Sequence, residues 1–232
     1  MAFKVLLNGI FICLLALLGL SGSSCRHPGA APDDKPVLPL LNSIALVGFR
    51  PALSPAQSPG MVRSPISGAV FTADPVSEEI AKAISVQLFE KLTKDSPYQW
   101  VSPLEAASAF SRIASSHPQW TDREVYLEIA KALSADAVLG GHVYRWSERQ
   151  GTDYAASHPA SVAFDIYLMT AADGILLWKA RFDKTQISLS ENILDLKTFL
   201  KAKGRWLTAH ELAEIGLREF ADSFPKGEKA KE

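Results

Sequence analysis

The sequence predicts an α/β domain, a mixed β-sheet with helices packed on it, and three observations carry that prediction. Short apolar runs suited to strands are interleaved with apolar residues recurring every four positions, as one buried helix face requires. Four sites show a hydroxyl residue followed three positions later by glutamate, the spacing of a capping box: Ser102 with Glu105, Thr121 with Glu124, Ser188 with Glu191, and Thr208 with Glu211. Between the second and third of these boxes lies a block of strand-like residues. The resulting order is strand, helix, strand, two helices, three strands, helices, which is that of a sheet covered by helices.

Ile44-Ala45-Leu46-Val47, within Ser43 to Phe49, is a short apolar run suited to a buried strand. Arg50 to Pro75 follows, rich in proline and glycine, and is expected to be a long irregular loop; loops of this length are usually functional or disordered. A helix is predicted from Ser77, with Glu78 and Glu79 suited to the positive end of its dipole. Its buried face would be Ile80, Ile84, Leu88 and Leu92. Tyr98 to Val101 is a short strand candidate. Pro103 sits at the first helical position after Ser102, where a missing amide costs nothing. Trp120 with Val125, and Leu207 with Leu212, are placed to staple the next helix starts. Ala137 to Trp146 opens the strand block, and Gly140-Gly141 inside it points to a bulge or a close backbone approach. Val162, Phe164, Ile166 and Leu168 alternate, predicting a half-buried strand. Asp173-Gly174 then turns the chain into Ile175 to Phe182.

The N-terminus reads as a secretory leader. Lys4 is the positive region, Val5 to Leu20 is apolar apart from Asn8 and Gly9, and Ser21, Gly22, Ser23 and Ser24 are small residues before Cys25. The apolar run is short against the roughly 20 residues of a spanning helix; an uncleaved anchor is the alternative. Small residues before a cysteine resemble the lipobox of bacterial lipoproteins, although Gly22 stands where leucine is usual. The resemblance implies cleavage before Cys25 and attachment of acyl chains to it. Several chains hold a protein on a bilayer far better than one. Arg26 rather than aspartate after the cysteine points, by the enterobacterial sorting rule, to the outer membrane. The domains expected are thus a signal peptide (1–24), a lipidated cysteine with a proline-rich tether (25–42), an α/β periplasmic domain (43–225) and a charged tail (226–232).

The short first strand, the amphipathic helix ending near Leu92, the phrase Ala135-Asp136-Ala137-Val138-Leu139-Gly140-Gly141, and the strand pair carrying Asp173-Gly174 and Trp178 together resemble a known domain. It is the periplasmic α/β domain shared by CsgG, LpoB and the N-terminal part of TolB, over about Ser43 to Phe182. The resemblance implies a protein that builds or regulates envelope machines and is not an enzyme. The segment from Gln186 to Trp206 has no counterpart in it. Neither the Pro51–Pro75 nor the Ser147–Ala160 segment has the extended alternation that a transmembrane barrel needs.

Composition excludes several chemistries. The formal net charge is -1 and no basic stripe is present, so nucleic acid is not an expected partner. The two cysteines are Cys13, in the leader, and Cys25, so a processed and acylated chain has no free thiol. No pair among His27, His117, His142, His158 and His210 has metal-ligand spacing, and no metal or cofactor is expected. No nucleophile elbow or phosphate-binding glycine loop is present. What remains is a rival reading as an envelope hydrolase: His142, with Asp165 and Asp183 facing each other across a strand pair, could do acid–base work if they gathered in one pocket. Solvated charges and a structural histidine are the plainer account. The leading expectation is a lipid-anchored, protein-binding or envelope-assembly module at the outer membrane. Its partner would be an envelope protein and its surfaces the Arg50–Pro75 and Ser147–Ala160 segments. A self-assembling ring subunit is the third reading.

Overall fold

A five-stranded mixed sheet organises the protein. The computed structural model describes residues 41–94, 96–186 and 205–226. The strands of the sheet are β1 (Ser43–Pro51), β4 (Gln99–Val101), β5 (Ala137–Ser147), β8 (Ser161–Thr170) and β9 (Leu176–Thr185). β1 pairs in parallel with both β4 and β5, and β5, β8 and β9 pair antiparallel. The mixed α/β architecture is the one the sequence predicts. The leader, Cys25 and the tether to residue 40 lie outside the described residues, as do the helix predicted at Ser188 and the tail beyond Lys226.

Helices α1 (Glu78–Thr93), α2 (Pro103–Ser116), α3 (Asp122–Ala132) and α4 (Ala209–Ser223) cover the sheet. Ser77, Ser102, Thr121 and Thr208 are their N-caps, each accepting from an amide of the first turn. At Thr121 and Thr208 the reciprocal glutamate bond also forms, completing the capping box. Ala81, Ile84, Leu88 and Leu92 of α1 and Leu212, Leu217 and Phe220 of α4 join one face of the sheet through Ile44, Leu46, Leu139, Phe164 and Ile166. Ile80 is half-buried, and Ala81 and Ser85 take the inward places beside Ile84 and Leu88. Ala106, Ala109 and Ile113 of α2 and Val125, Tyr126 and Ile129 of α3 join the other face through Val47, Val138, Tyr167 and Met169.

Gly48 interrupts β1. The register slips between Leu46 and Gly48, where the backbone takes φ 83°, a conformation that favours glycine. A Cβ there would also lie 2.5 Å from Ser85 Oγ. That hydroxyl accepts from Phe49 N at 2.7 Å and donates to Ala81 O at 2.6 Å, fastening α1 to the strand.

Three expectations are corrected. The Arg50–Pro75 segment is not irregular throughout: it holds an antiparallel hairpin, β2 (Gly60–Arg63) with β3 (Val70–Ala73). The Ser147–Ala160 segment likewise holds β6 (Gln150–Gly151) and β7 (Ala156–His158). β8 is buried on both faces rather than one, because α3 and the β2–β3 hairpin cover the side on which Ala163, Asp165 and Tyr167 lie.

Candidate functional site

The covered face under α3 and the β2–β3 hairpin is polar. Side chains alternate along a strand, so β5 presents Val138, Gly140, His142 and Tyr144 to this side, and β8 presents Ala163, Asp165 and Tyr167. Gly140 leaves room for the Tyr126 ring, whose Cζ would be 2.9 Å from an added Cβ. A Cβ at Gly141 would lie 2.1 Å from the Asp165 carbonyl oxygen. The double glycine is therefore a close approach of backbone and ring, as expected from its place in a strand.

His142 is 4% exposed and has a partner at each ring nitrogen. Nε2 lies 3.0 Å from Asp122 Oδ2, and Nδ1 lies 3.0 Å from the Tyr167 hydroxyl. Asp122 opens α3, where the dipole favours a carboxylate. Burial pushes its pKa up, but hydrogen bonds and charge from His142 and Arg50 outweigh this and hold it below the usual carboxylate value. Arg50, at the end of β1, reaches Asp122 at 3.4 Å and lies 4.0 Å above the Phe110 ring. Burial pushes the Tyr126 hydroxyl up to about 12 and raises that of Tyr167 well above its ordinary value, so both stay neutral.

Asp165, fully buried, accepts from Ser67 Oγ at 2.6 Å and from the Tyr144 hydroxyl at 3.1 Å. Ser67 belongs to the turn of the β2–β3 hairpin, so this carboxylate ties the hairpin to the sheet. Phe71 of β3 stacks flat on Tyr144, ring centroids 3.8 Å apart. The Arg181 guanidinium covers Phe71 from β9 at 4.4 Å and donates to Val70 O. Arg145 donates to Thr72 O at 2.9 Å. Asp183 holds both arginines, at 2.7 Å from Arg145 and 2.9 Å from Arg181. Burial alone would raise its pKa, yet these two guanidinium groups bring it below the ordinary value.

The rival catalytic constellation does not assemble. His142 and Asp165 are register partners on adjacent strands and point to the same side. Asp183 pairs with Ala163, and the residue opposite Asp165 is Arg181, so the expected facing of the two aspartates is corrected by two positions. His142 and Asp165 are buried beneath covering elements, whereas Asp183 is held outside them by arginine. Among the described residues, no group of three or more histidine, cysteine, aspartate or glutamate side chains could hold a metal ion. Sequence reasoning missed Asp122, Tyr126, Tyr144 and Tyr167. The available signal was the second set of residues in β8: of Ala163, Asp165, Tyr167 and Met169 only one is charged, too few for a solvated face.

What the buried layer supports stands outside it. The β2–β3 hairpin exposes Met61 at 70% and Val70, and the turn between β6 and β7 exposes Tyr154 at 82%. The β6–β7 arm is fixed at its start and at its turn: Glu148 accepts from Ala209 N at the start of α4, Arg149 pairs with Asp153 of the turn, and Asp153 O accepts from Trp206 N. All five tryptophans are half-buried, packed by part of their surface rather than sealed in the core. Among the described residues, no helix is long and apolar enough to cross a membrane.

No family model matches the sequence, and no curated protein is similar to it. Solved structures are similar in chain path. The LpoB C-terminal domain from Salmonella enterica is 14% identical over 64% of this chain and 86% of its own, with a TM-score of 0.37. Lipoprotein GNA1162 from Neisseria meningitidis is 14% identical over 70% of this chain and 94% of its own, with a TM-score of 0.39. The PelC dodecamer from Paraburkholderia phytofirmans is 10% identical over 81% of this chain and 88% of its own, with a TM-score of 0.42. LpoB, named in the expected resemblance, is thus among the similar structures, whereas CsgG and TolB gain no support.

Proposed function

We propose that this protein is a lipid-anchored periplasmic module that binds another envelope protein through its β2–β3 hairpin and its β6–β7 arm. Cleavage before Cys25 and acylation of that residue would fix it to a membrane, and Arg26 favours the outer one. The observation that carries the binding reading is the contrast within each arm. Arginine, aspartate and aromatic contacts fasten each arm, while Met61 of β2 and Tyr154 of the β6–β7 turn are left in water. A rigid support with exposed large side chains suits recognition, because little ordering entropy is lost on binding. A non-enzymatic role is favoured because His142 is held by Asp122 and Tyr167, Asp165 by Ser67 and Tyr144, and Asp183 by two arginines, instead of the three converging on an open cleft.

The test is recovery of partners from detergent-solubilised membranes with the full chain, compared with Met61→Asp and Tyr154→Ala variants. At least one envelope protein should be enriched by the wild type, and its recovery should fall about tenfold or more in a variant that removes a central contact, as hot-spot side chains do. Recovery of the same proteins by all three forms would sink the assignment of the surface. Mass spectrometry should find Cys25 at the N-terminus, bearing acyl chains. Sedimentation of the full chain in detergent separates a monomer from the ring alternative.

A further inference from the structure

A groove of about 570 Å³ opens between α1 and α2, on the far side of the molecule from β9. Its origin is the shortness of β4, which pairs only with Ser43, Ala45 and the residue between them and leaves the rest of β1 without a neighbouring strand on that side. Val47 and Phe49 of β1 form the floor. One wall is α2, through Leu104, Ala107, Ser111 and Ala114, and the other is α1, through Glu78, Lys82 and Val86. Both sets recur at three or four residues, so each wall is a single helix face. Leu104 is 81% exposed and Val86 49%, leaving apolar surface in water on both rims.

The chemistry of the floor and rims narrows the occupant. An added strand would need the free edge of β1, but the Phe49 amide there is already taken by Ser85. An acyl chain would fill the floor and leave both rims wet. A helix laid along the groove would cover floor and rims together, and the small side chains Ala107, Ser111 and Ala114 let its backbone come close. From Leu104 to Ser115 the wall is about 17 Å long at 1.5 Å per residue, the length of three turns. Charge selects further. Glu78 sits in the first turn of α1, where the dipole stabilises it, and Arg50 lies against Asp122. Lys82 makes no ion pair among the described residues; Glu78 shares its wall, and the lysine charge acts weakly on the exposed Glu79, so its ammonium is left to meet a partner.

We infer that this groove is a second docking site, and that its occupant is a three-turn amphipathic helix of a protein partner, apolar on one face with a carboxylate beside that face to meet Lys82. The inference rests on the protein-binding reading above, though not on the hairpin surface. It places a second contact on the opposite edge of the sheet, so a partner gripping both would gain from effective concentration.

The probe is a lactam-bridged three-turn peptide with leucine on one face and flanking glutamate. It is compared with the same peptide carrying lysine for glutamate and with a scrambled version. Each is titrated by fluorescence anisotropy into the full chain held in lipid nanodiscs, with laurate as competitor. The glutamate peptide should bind about tenfold more tightly than the lysine peptide, Lys82→Glu should invert that order, and Ala107→Trp should abolish binding with an unchanged circular dichroism spectrum. Should Ala107→Trp fail to fold, the inversion by Lys82→Glu decides alone. Absence of binding, equal binding of the scrambled peptide, or an order unmoved by Lys82→Glu overturns the inference. Displacement by laurate that is itself blocked by Ala107→Trp would assign the groove to acyl chains instead. Peptide binding without any partner recovered from membranes would support the groove and sink the hairpin surface; a recovered partner with no peptide binding does the reverse.

Discussion

The two faces of the sheet solve the same problem with different chemistry. Towards α1 and α4, β8 contributes Val162, Phe164, Ile166 and Leu168, all fully buried among apolar side chains. Towards α3 and the β2–β3 hairpin, the alternate residues of the same strand meet a buried histidine, a buried carboxylate and three tyrosines. The apolar face is non-directional: it gains from area removed from water, and tolerates exchange of one apolar group for another of like volume. The polar face is directional, because a buried donor or acceptor left without a partner is costly. The lesson is that this protein uses apolar packing to hold the sheet together and hydrogen bonds to fix where its covering elements sit. The hairpin proposed to bind a partner is on the directional side.

Neighbouring residues on opposite faces make the sharpest test. Phe164→Ala empties a site packed against Phe49, Phe182 and Phe220 and should cost about 3–5 kcal/mol. Asp165→Ala leaves the Ser67 and Tyr144 hydroxyls without their acceptor and should cost about 1–3 kcal/mol. Urea melts give the size of each loss, and amide hydrogen exchange gives its place. After Phe164→Ala, protection should fall throughout the sheet. After Asp165→Ala, it should fall first in β2 and β3. Equal and uniform losses in both variants would end the proposed division of labour.

Much of the apolar face was legible in the sequence, and little of the polar one was. The strand of Val162 to Leu168, the α1 face of Ile84, Leu88 and Leu92, and the cap at Thr208 are local patterns, and each formed where its period or spacing placed it; on the polar side the helix caps at Ser102 and Thr121 did so. The β2–β3 hairpin was not legible. Its strands have four residues each, and they are held mainly by Arg145, Arg181 and Tyr144, which lie far along the chain. His142 stood out in the sequence, but its partners Asp122 and Tyr167 did not, since neither carries a local signal of the contact. The supposed pair of Asp165 and Asp183 failed on register: Arg181 stands opposite Asp165 and Ala163 opposite Asp183, a pairing that residue types alone did not define. Local pattern reports local structure; a register and a long-range polar bond require the fold.

Acid should separate the two faces again, with a smaller effect. The Asp122 carboxylate is held below its ordinary value of 3.8 in the folded protein, so its contribution is fully present above that value and is lost as pH falls through the folded one. Asp122→Asn should weaken the protein at neutral pH and flatten this part of the acid limb, and amide exchange should rise in the first turn of α3. His142→Gln should produce the same flattening, since the imidazole is one of the groups holding Asp122 down. An acid limb unchanged in both variants would mean that this pair does not fasten α3 to the sheet.

The smallest effect is expected at the start of α4, on the apolar side, where charge is peripheral. Arg205 reaches Glu211 through two bonds, of 3.0 and 2.5 Å, and Glu211 also closes the capping box on Thr208. Hydrogen bonding to Arg205 brings the Glu211 pKa down to about 2 from 4.5, against a weaker opposing push from burial. Its contribution is present above 4.5 and drains as pH falls towards 2. The pair is about one-third exposed on each side, so solvent screening limits it, and Glu211→Gln should cost about 0.5–1 kcal/mol at neutral pH. The loss should shrink in high salt, which screens exposed pairs, whereas the loss in Asp165→Ala should not, because its hydroxyl partners carry no charge. Acid titrations of the two variants at low and high salt therefore distinguish a surface contact that trims a helix end from a buried one that sets the position of the hairpin.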